Sequence, residues 1–148
     1  SKFLMFATHA ITAEEVEKIN DPAIVLSLES NSIEDGYLTS TDIINTKFES
    51  DLLILSACNT SSGSRNDNQI LSGLAQAFLY AGAKSIVVSN WPVESRSTVI
   101  FMNNFMDNLL KNESEPAEAF RNAQLYLREN FPEYDHPAYW GAFSYYGP

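Results

Sequence analysis

The sequence predicts an α/β fold in which helices flank a largely parallel central sheet. Short apolar runs typical of strands alternate with longer segments of helical spacing, in the order strand, helix, strand, helix, helix, strand. The strongest runs are apolar on both faces, as in strands buried within a parallel sheet. The chain has no tandem repeats or low-complexity tracts, and its 148 residues suffice for one domain with a sizeable core.

The first predicted strand, KFLMFA at residues 2–7, stands at the beginning of the sequence. Because such a strand needs neighbours on both sides, we expect the first strands of the domain to precede it. The chain is then the C-terminal part of a domain and lacks the N-terminal strands. The run IVLSL at residues 24–28 predicts another strand, and a short helix follows at residues 40–45, which Thr39 or Ser40 would cap.

The second strongly buried strand is LLILS at residues 52–56, which leads into a polar loop at residues 59–68. A helix is predicted at residues 69–82, where apolar residues recur at helical spacing and Gly82 marks the end. The remaining predicted elements are, in order, a strand at 84–91 closed by Pro92, helices at 95–111 and 116–130, a turn at 134–137 and a last strand at 140–147.

Composition and charge narrow the possible partners. The chain carries 9 Lys and Arg against 19 Asp and Glu, a formal net charge of −10, which argues against nucleic acid or an anionic membrane as a direct partner. A basic peptide or protein segment would be attracted instead. A single cysteine cannot form an internal disulfide, so we expect a reducing, cytoplasmic location. No apolar run approaches the roughly 20 residues that span a bilayer.

Two predicted strands are each followed by a residue whose side chain can take part in catalysis. His9 follows the first apolar run, and Cys58, the single cysteine, follows the strand at residues 52–56. Carboxyl ends of parallel strands form the ligand-binding edge of an open α/β sheet, so the two side chains converge if their strands are neighbours. A nucleophilic cysteine needs an imidazole that favours the thiolate and later protonates the leaving amine. The alternatives are a core-filling cysteine and a histidine that makes a structural hydrogen bond.

A third set of polar residues lies at the end of the strand predicted at residues 84–91 and just after it. This set includes Asn90, Trp91 and Glu94. We expect these three residues to contact a substrate, with the Trp91 ring as a wall of the cleft. His136 precedes Pro137 in a turn, which predicts a structural role. Two histidines and one cysteine at unrelated spacings predict no metal site, and no phosphate-binding glycine loop is present in the sequence.

Five ordered motifs resemble one known family. His9 and Cys58 are 49 residues apart, and caspases carry their histidine about 50 residues before the cysteine. The segments around them and further along the chain resemble the CHAT domain: FATHA, LLILSACNT, GLAQAFLYAGAKSIVVSNWPV, PAEAFRNAQLYL and HPAYWGAFSYYG. That family is caspase-like, is often joined to tetratricopeptide repeats, and is related to separase and the gingipains. The resemblance covers nearly the whole chain.

The resemblance implies a caspase-like layered fold and a cysteine endopeptidase. His9 and Cys58 would form the catalytic dyad, and the backbone N–H groups of Ala10 and Cys58 would form the oxyanion hole, with no cofactor. An acidic pocket that includes Glu94 would favour cleavage of a protein partner after a basic residue. An attached tetratricopeptide-repeat or sensor domain would control the activity. The alternative is a catalytically inactive CHAT-type module that serves protein interaction or regulation.

The residue after the histidine departs from the family pattern. The family usually has glycine there, whereas this chain has Ala10. Alanine keeps the N–H donor, but a left-handed backbone conformation costs it about 1 kcal/mol or more. If the oxyanion hole requires that conformation, we expect Ala10 to reshape the hole or to mark a degenerate site.

Overall fold

The computed structural model describes residues 3–11, 19–27, 35–56, 67–91 and 93–148, with residues 67–72 in backbone only. In chain order the elements are β1 (Phe3–Phe6), β2 (Ala10–Ile11), β3 (Ala23–Val25), β4 (Tyr37–Thr39), α1 (Ser40–Asn45), β5 (Leu52–Leu55), α2 (Asp67–Tyr80), β6 (Ile86–Ser89), α3 (Ser95–Leu110), α4 (Pro116–Asn130), a 3-10 helix (Pro132–Tyr134), α5 (Pro137–Trp140) and β7 (Phe143–Tyr146).

A four-stranded sheet in the order β1-β5-β6-β7 organises the chain. β1 and β6 both lie parallel to β5, and β7 is antiparallel to β6. β5 and β6 are buried at every residue, as expected of strands covered on both faces. The predicted α/β class with a largely parallel central sheet is therefore confirmed.

β1 lies at one edge of the described sheet, although its sequence predicts neighbours on both sides. Phe3, Leu4 and Phe6 are half-buried, and Met5 is 51% exposed. β1 also has no charged residue or proline, which commonly protect an edge strand from pairing. The additional strand that the sequence predicts next to β1 stays a prediction.

The sequence does not predict the second sheet, in which β2, β3 and β4 pair antiparallel. Strands of two or three residues are too short to show the alternation by which strands are recognised. The strand predicted at residues 24–28 lies at Ala23–Val25 instead. Only three residues separate β1 from β2. The pairing of β2 with β3 therefore holds the segment that directly follows β1 in place.

Side chains of the two central strands divide the core into two layers, because successive residues of a strand point to opposite faces. Leu53 and Leu55 of β5 pack with α1 and α2 in one layer, in which Phe78 is fully buried. Leu52 and Ile54 of β5 pack with α3 and α4 in the other layer. Aromatic residues dominate that second layer, where the Phe101, Phe105, Phe120 and Phe143 rings form stacked and edge-to-face pairs.

Local signals set several helix ends where the sequence predicts them. Thr39 caps α1 in a capping box: its side chain accepts the Asp42 N–H, and the Asp42 side chain accepts the Thr39 N–H. Gly82 follows α2 with φ of 114°, and a Cβ there would lie 2.7 Å from the Phe48 carbonyl oxygen. The turn predicted at residues 134–137 runs from the last residue of the 3-10 helix to the first residue of α5.

Glu113 occupies the loop between α3 and α4 in a conformation that favours glycine. Its φ is 52°, the single positive value among the described residues other than glycine. The loop satisfies carbonyl groups at the end of α3, because the N–H groups of Asn112 and Ser114 donate to Asp107 and Asn108. Glu113 therefore carries a side chain at a conformational cost of about 1 kcal/mol.

We expect Glu113→Gly to raise the free energy of unfolding by about 1 kcal/mol, because glycine adopts the left-handed conformation without steric cost. Urea denaturation at neutral pH measures the change. Glu118→Gly is the control, since Glu118 lies within α4, where glycine lowers stability by about 1 kcal/mol. Equal losses in the two variants would contradict the assignment of strain to Glu113.

Candidate active site

The carboxyl ends of β1, β5 and β6 meet at one edge of the sheet, which we call the carboxyl edge. Phe6 pairs with Leu55, and Leu55 pairs with Val88. The Ser56 N–H donates to the Phe6 carbonyl at 2.9 Å, so the pairing of β1 with β5 continues beyond Leu55. The catalytic interpretation requires β1 and β5 to be parallel neighbours. They are, at a strand separation of about 4.8 Å.

His9 is anchored by its backbone to the second sheet. The Thr8 hydroxyl donates to the Val25 carbonyl at 2.6 Å, and the Val25 N–H donates to the His9 carbonyl at 2.8 Å. The His9 residue is exposed, and its imidazole has no hydrogen-bond partner among the described residues. The backbone position of His9 is thus fixed while its ring is accessible. The sequence does not single out Thr8, although it directly precedes His9.

The peptide bond between His9 and Ala10 determines where the Ala10 N–H points. The described residues contain no cis peptide bond, so the carbonyl and N–H of this peptide point in opposite directions. Because the His9 carbonyl faces Val25 of β3, the Ala10 N–H faces away from β3. Ala10 itself lies in β2 without a positive φ, and its side chain is buried in the core. The alanine at this position therefore carries no left-handed strain.

Cys58 lies outside the described residues, as do the other residues from 57 to 66. The described chain reaches Ser56, which is bonded to the end of β1. The pairing of His9 with Cys58, and the Cys58 N–H as an oxyanion donor, therefore stay predictions.

Asn90 and Trp91 lie at the carboxyl edge directly after β6 and are bonded to the segment around β7. The Asn90 N–H donates to the Ala142 carbonyl and its Nδ2 donates to the Ser144 hydroxyl, both at 2.7 Å. The Trp91 indole N–H donates to the Ala138 carbonyl at 2.9 Å, and the residue is 41% exposed. Sequence reasoning misses Ser144, because its position opposite Val88 depends on antiparallel pairing of β7. Substrate contact by Asn90 and Trp91 stays a prediction.

Glu94 is engaged at the N-terminus of α3. Its two carboxylate oxygens accept the Arg96 N–H at 3.0 Å and the Ser97 N–H at 2.8 Å. These backbone hydrogen bonds hold the pKa of the Glu94 carboxyl below its ordinary value of 4.5. Burial raises the pKa of Tyr134, and a hydrogen bond to Glu94 raises it further. The carboxylate thus links α3 to the 3-10 helix, and its predicted substrate contact is untested.

His136 has the structural role that the sequence predicts, since its Nδ1 accepts the Ala138 N–H at the start of α5. In the part of the chain that the structure describes, no group of three or more His, Cys, Asp or Glu side chains is placed to hold a metal ion. None of the helices described there has the length and apolar character needed to cross a membrane.

The class of protein follows from this architecture: a mostly parallel sheet with helices on both faces, and polar residues at its carboxyl edge, is typical of a caspase-like α/β domain. The CHAT domain family model matches residues 1–148, so the chain belongs to the CHAT domain family. The resemblance based on the five motifs is therefore confirmed. The family belongs to the caspase-like peptidase clan.

Two curated relatives carry the name "Tetratricopeptide repeat protein 28". The Mus musculus protein is 26% identical over 141 residues, which are 94% of this chain and 6% of the relative. The Homo sapiens protein is 26% identical over 115 residues, which are 78% of this chain and 4% of the relative. The chain thus spans a small fraction of the length of these relatives. Their names contain the repeat that the resemblance predicts next to the domain.

We expect Ala10→Gly to lower the free energy of unfolding by about 1 kcal/mol, because it removes a buried methyl group and frees the unfolded backbone. Urea denaturation measures the change. Gly73→Ala serves as the reverse control, because Gly73 lies within α2 with open space at its Cβ and should gain about 1 kcal/mol. A gain of stability in Ala10→Gly would mean that Ala10 is strained after all.

We expect Glu94→Gln to lower the melting temperature at pH 7 by roughly 3 °C, because the amide group accepts the two N–H groups less well than the carboxylate. The pKa of Glu94 is lowered in the folded state, so its carboxylate contributes stability above pH 4.5. That contribution is lost as the pH falls through the lowered pKa. Thermal melts between pH 7 and pH 2.5 should therefore show the parent and the variant converging in acid.

Glu115→Gln is the matched control for this experiment. Glu115 is also an N-cap residue, but its side chain makes no capping hydrogen bond. Its replacement should leave the pH dependence of the melting temperature unchanged. The same acid convergence in both variants would contradict a specific role for Glu94.

Proposed function

We propose that this protein is a cysteine endopeptidase that cleaves a protein partner through His9 and Cys58. The observation that carries the proposal is the parallel register of β1 and β5, in which Phe6 stands opposite Leu55. His9 and Cys58 each follow one of these paired residues by three positions. A chain advances at most about 3.6 Å per residue, so His9 and Cys58 are the same short length of chain away from the ends of two neighbouring strands.

The chemistry assigned to the pair is acyl transfer. The Cys58 thiolate attacks the scissile carbonyl carbon, a C–S bond forms, and an electron pair moves onto the carbonyl oxygen. The intermediate collapses as the C–N bond breaks, and the His9 imidazolium gives its proton to the leaving amine. A water molecule then attacks the thioester carbonyl while His9 takes its proton. The C–S bond breaks, the carboxylic acid leaves, and the Cys58 thiolate and His9 imidazolium are restored.

The oxyanion of the intermediate needs N–H donors that are already oriented. The Ala10 N–H suits this role because it faces away from β3 while the His9 carbonyl anchors the same peptide to Val25. The extended backbone of Ala10 supports an intact hole, since the donor is held without strain. We assign the second donor to the Cys58 N–H.

A basic residue before the scissile bond suits the net charge of −10. Asn90 and Trp91 are proposed to line the substrate cleft, because their hydrogen bonds to Ala142, Ser144 and Ala138 hold them rigidly at the carboxyl edge. Glu94 remains a proposed contact for the basic side chain, although its oxygens already accept two N–H groups. We also propose an attached repeat or sensor domain as the control element, and a cytoplasmic location.

The second candidate function is an inactive CHAT module for protein interaction or regulation. One observation favours it: the His9 imidazole has no hydrogen-bond partner among the described residues. Peptidases that use a histidine base commonly orient the ring with a third residue. An unoriented ring would transfer the proton less efficiently, and Cys58 would then be a relic of the catalytic site.

The decisive experiment is peptide cleavage by the full-length protein with Arg, Lys and Asp reporter substrates tested together. Cys58→Ala and His9→Ala should each lower kcat/KM at least about 1,000-fold, because each removes one partner of the nucleophile and base pair. His136→Asn is the matched control, because it replaces the other histidine with a residue that still caps a helix, and it should retain activity.

Alkylation by iodoacetamide provides a second measurement, independent of the substrate. Cys58 is the single thiol, so its reaction rate should exceed that of a model thiol near neutral pH and should lose this advantage in His9→Ala. Circular dichroism checks that the variants fold. Equal hydrolysis by the parent and Cys58→Ala, together with an ordinary thiol rate, would rule out the peptidase and leave the regulatory module.

A further inference from the structure

A cleft of about 660 Å³ opens at the edge of the sheet where β1, β5 and β6 begin, opposite the carboxyl edge. We call it the amino-edge cleft. The residues that decide its binding properties are Phe3, Leu110, Glu113, Glu115, Pro116 and Tyr145. Its volume lies within the range of about 300–1,000 Å³ that is typical of ligand sites. None of the described residues proposed for the peptidase site lines the amino-edge cleft, so the two are treated as separate surfaces.

The floor of the cleft is apolar. Leu110, in the last turn of α3, is 58% exposed. Phe3 and Tyr145 are half-buried against the core layer beneath α3 and α4, and Pro116 begins α4 on the facing wall. Apolar surface of this kind, when it is concave and rimmed by charge, marks an interaction site.

Two glutamates on the rim carry uncompensated charge. The Glu115 side chain makes no capping hydrogen bond to α4, and neither Glu113 nor Glu115 forms an ion pair or hydrogen bond with a residue that the structure describes. The cation Lys84 on the same rim is bonded to Asp51 at 2.6 Å, and this hydrogen bond raises its pKa. The cationic and anionic charges of that pair offset each other, so the rim formed by the described residues is negative.

We propose that the amino-edge cleft binds an extended basic segment of a partner protein. Glu113 and Glu115 are two residues apart, so their Cα atoms are at most about 7 Å apart. Side chains at alternate positions of an extended peptide are spaced by about 6.8 Å on one face. In the proposed complex, two Arg or Lys residues at such positions pair with the glutamates, and an apolar residue of the same segment contacts Leu110.

Charge decides between this occupant and a second copy of the chain. Each copy carries a net charge of −10, so two copies repel each other, whereas a cationic segment is attracted. Exposed ion pairs contribute little individually, so the binding should be weak and should weaken further with salt. The inference does not rest on the proposed peptidase activity, because Cys58→Ala should bind the segment as well as the parent.

The probe is a fluorescein-labelled seven-residue peptide in which arginine and leucine alternate. The control peptide has citrulline in place of arginine, which keeps the shape and removes the charge. Fluorescence anisotropy with the full-length protein at low salt should show at least about tenfold tighter binding of the arginine peptide. The double variant Glu113→Gln with Glu115→Gln should weaken that binding about fivefold to tenfold.

Matched variants test the location. Glu118→Gln with Glu129→Gln removes the same charge from α4 outside the cleft and should change binding less than twofold. Leu110→Ser should weaken binding at least about threefold, whereas Val99→Ser, equally exposed on α3 but outside the cleft, should not. Equal effects of the two charge variants would mean general attraction to an acidic protein and would overturn the proposal.

Analytical ultracentrifugation gives the remaining outcome. The parent should show no concentration-dependent self-association that depends on Leu110. A dimer that Leu110→Ser abolishes and Val99→Ser preserves would make a second copy the occupant and would overturn the proposal for a basic segment.

Discussion

The parallel alignment of β5 with both of its neighbours is the constraint on which the rest of the structure depends. Placing Phe6 opposite Leu55 and Leu55 opposite Val88 makes the ends of three strands level with each other. The same alignment decides which side chains of β5 and β6 face each layer of helices, since a shift of one residue would exchange the two faces. The layering of the core and the level strand ends at the two edges of the sheet thus depend on one set of backbone hydrogen bonds.

Both edges of the sheet carry features that suit interaction, and they differ in kind. At the carboxyl edge, polar groups are held by hydrogen bonds to neighbouring segments, as Asn90 and Trp91 show. At the amino edge, exposed apolar surface lies beside carboxylates that have no partner within the described parts of the chain. β1 connects the two, since it begins with Phe3 at the amino-edge cleft and leads to His9 on the other side. The proposed catalytic site and the proposed docking cleft are therefore separated by the length of a short strand.

Glu94 and Glu115 show what the sequence does not predict about a single side chain. Each is a glutamate that directly precedes a helix as its N-cap residue. The Glu94 carboxylate turns to the first N–H groups of α3, whereas the Glu115 carboxylate makes no such bond. Side-chain direction decides the difference, and residue type alone does not predict that direction.

The sequence by itself determined the α/β class, the strands β5 and β6, the helices α1 and α4 with their predicted bounds, and the family, because apolar periodicity and capping residues are local signals. It also singled out His9 and Cys58 as candidate catalytic residues, and that assignment stays a prediction. Only the tertiary structure decided that β1 and β5 are neighbours, that β7 runs antiparallel, and that Ala10 is unstrained within a second sheet. Pairing between strands that are distant in the chain leaves no local pattern in the sequence. Strands of two or three residues are too short to show one.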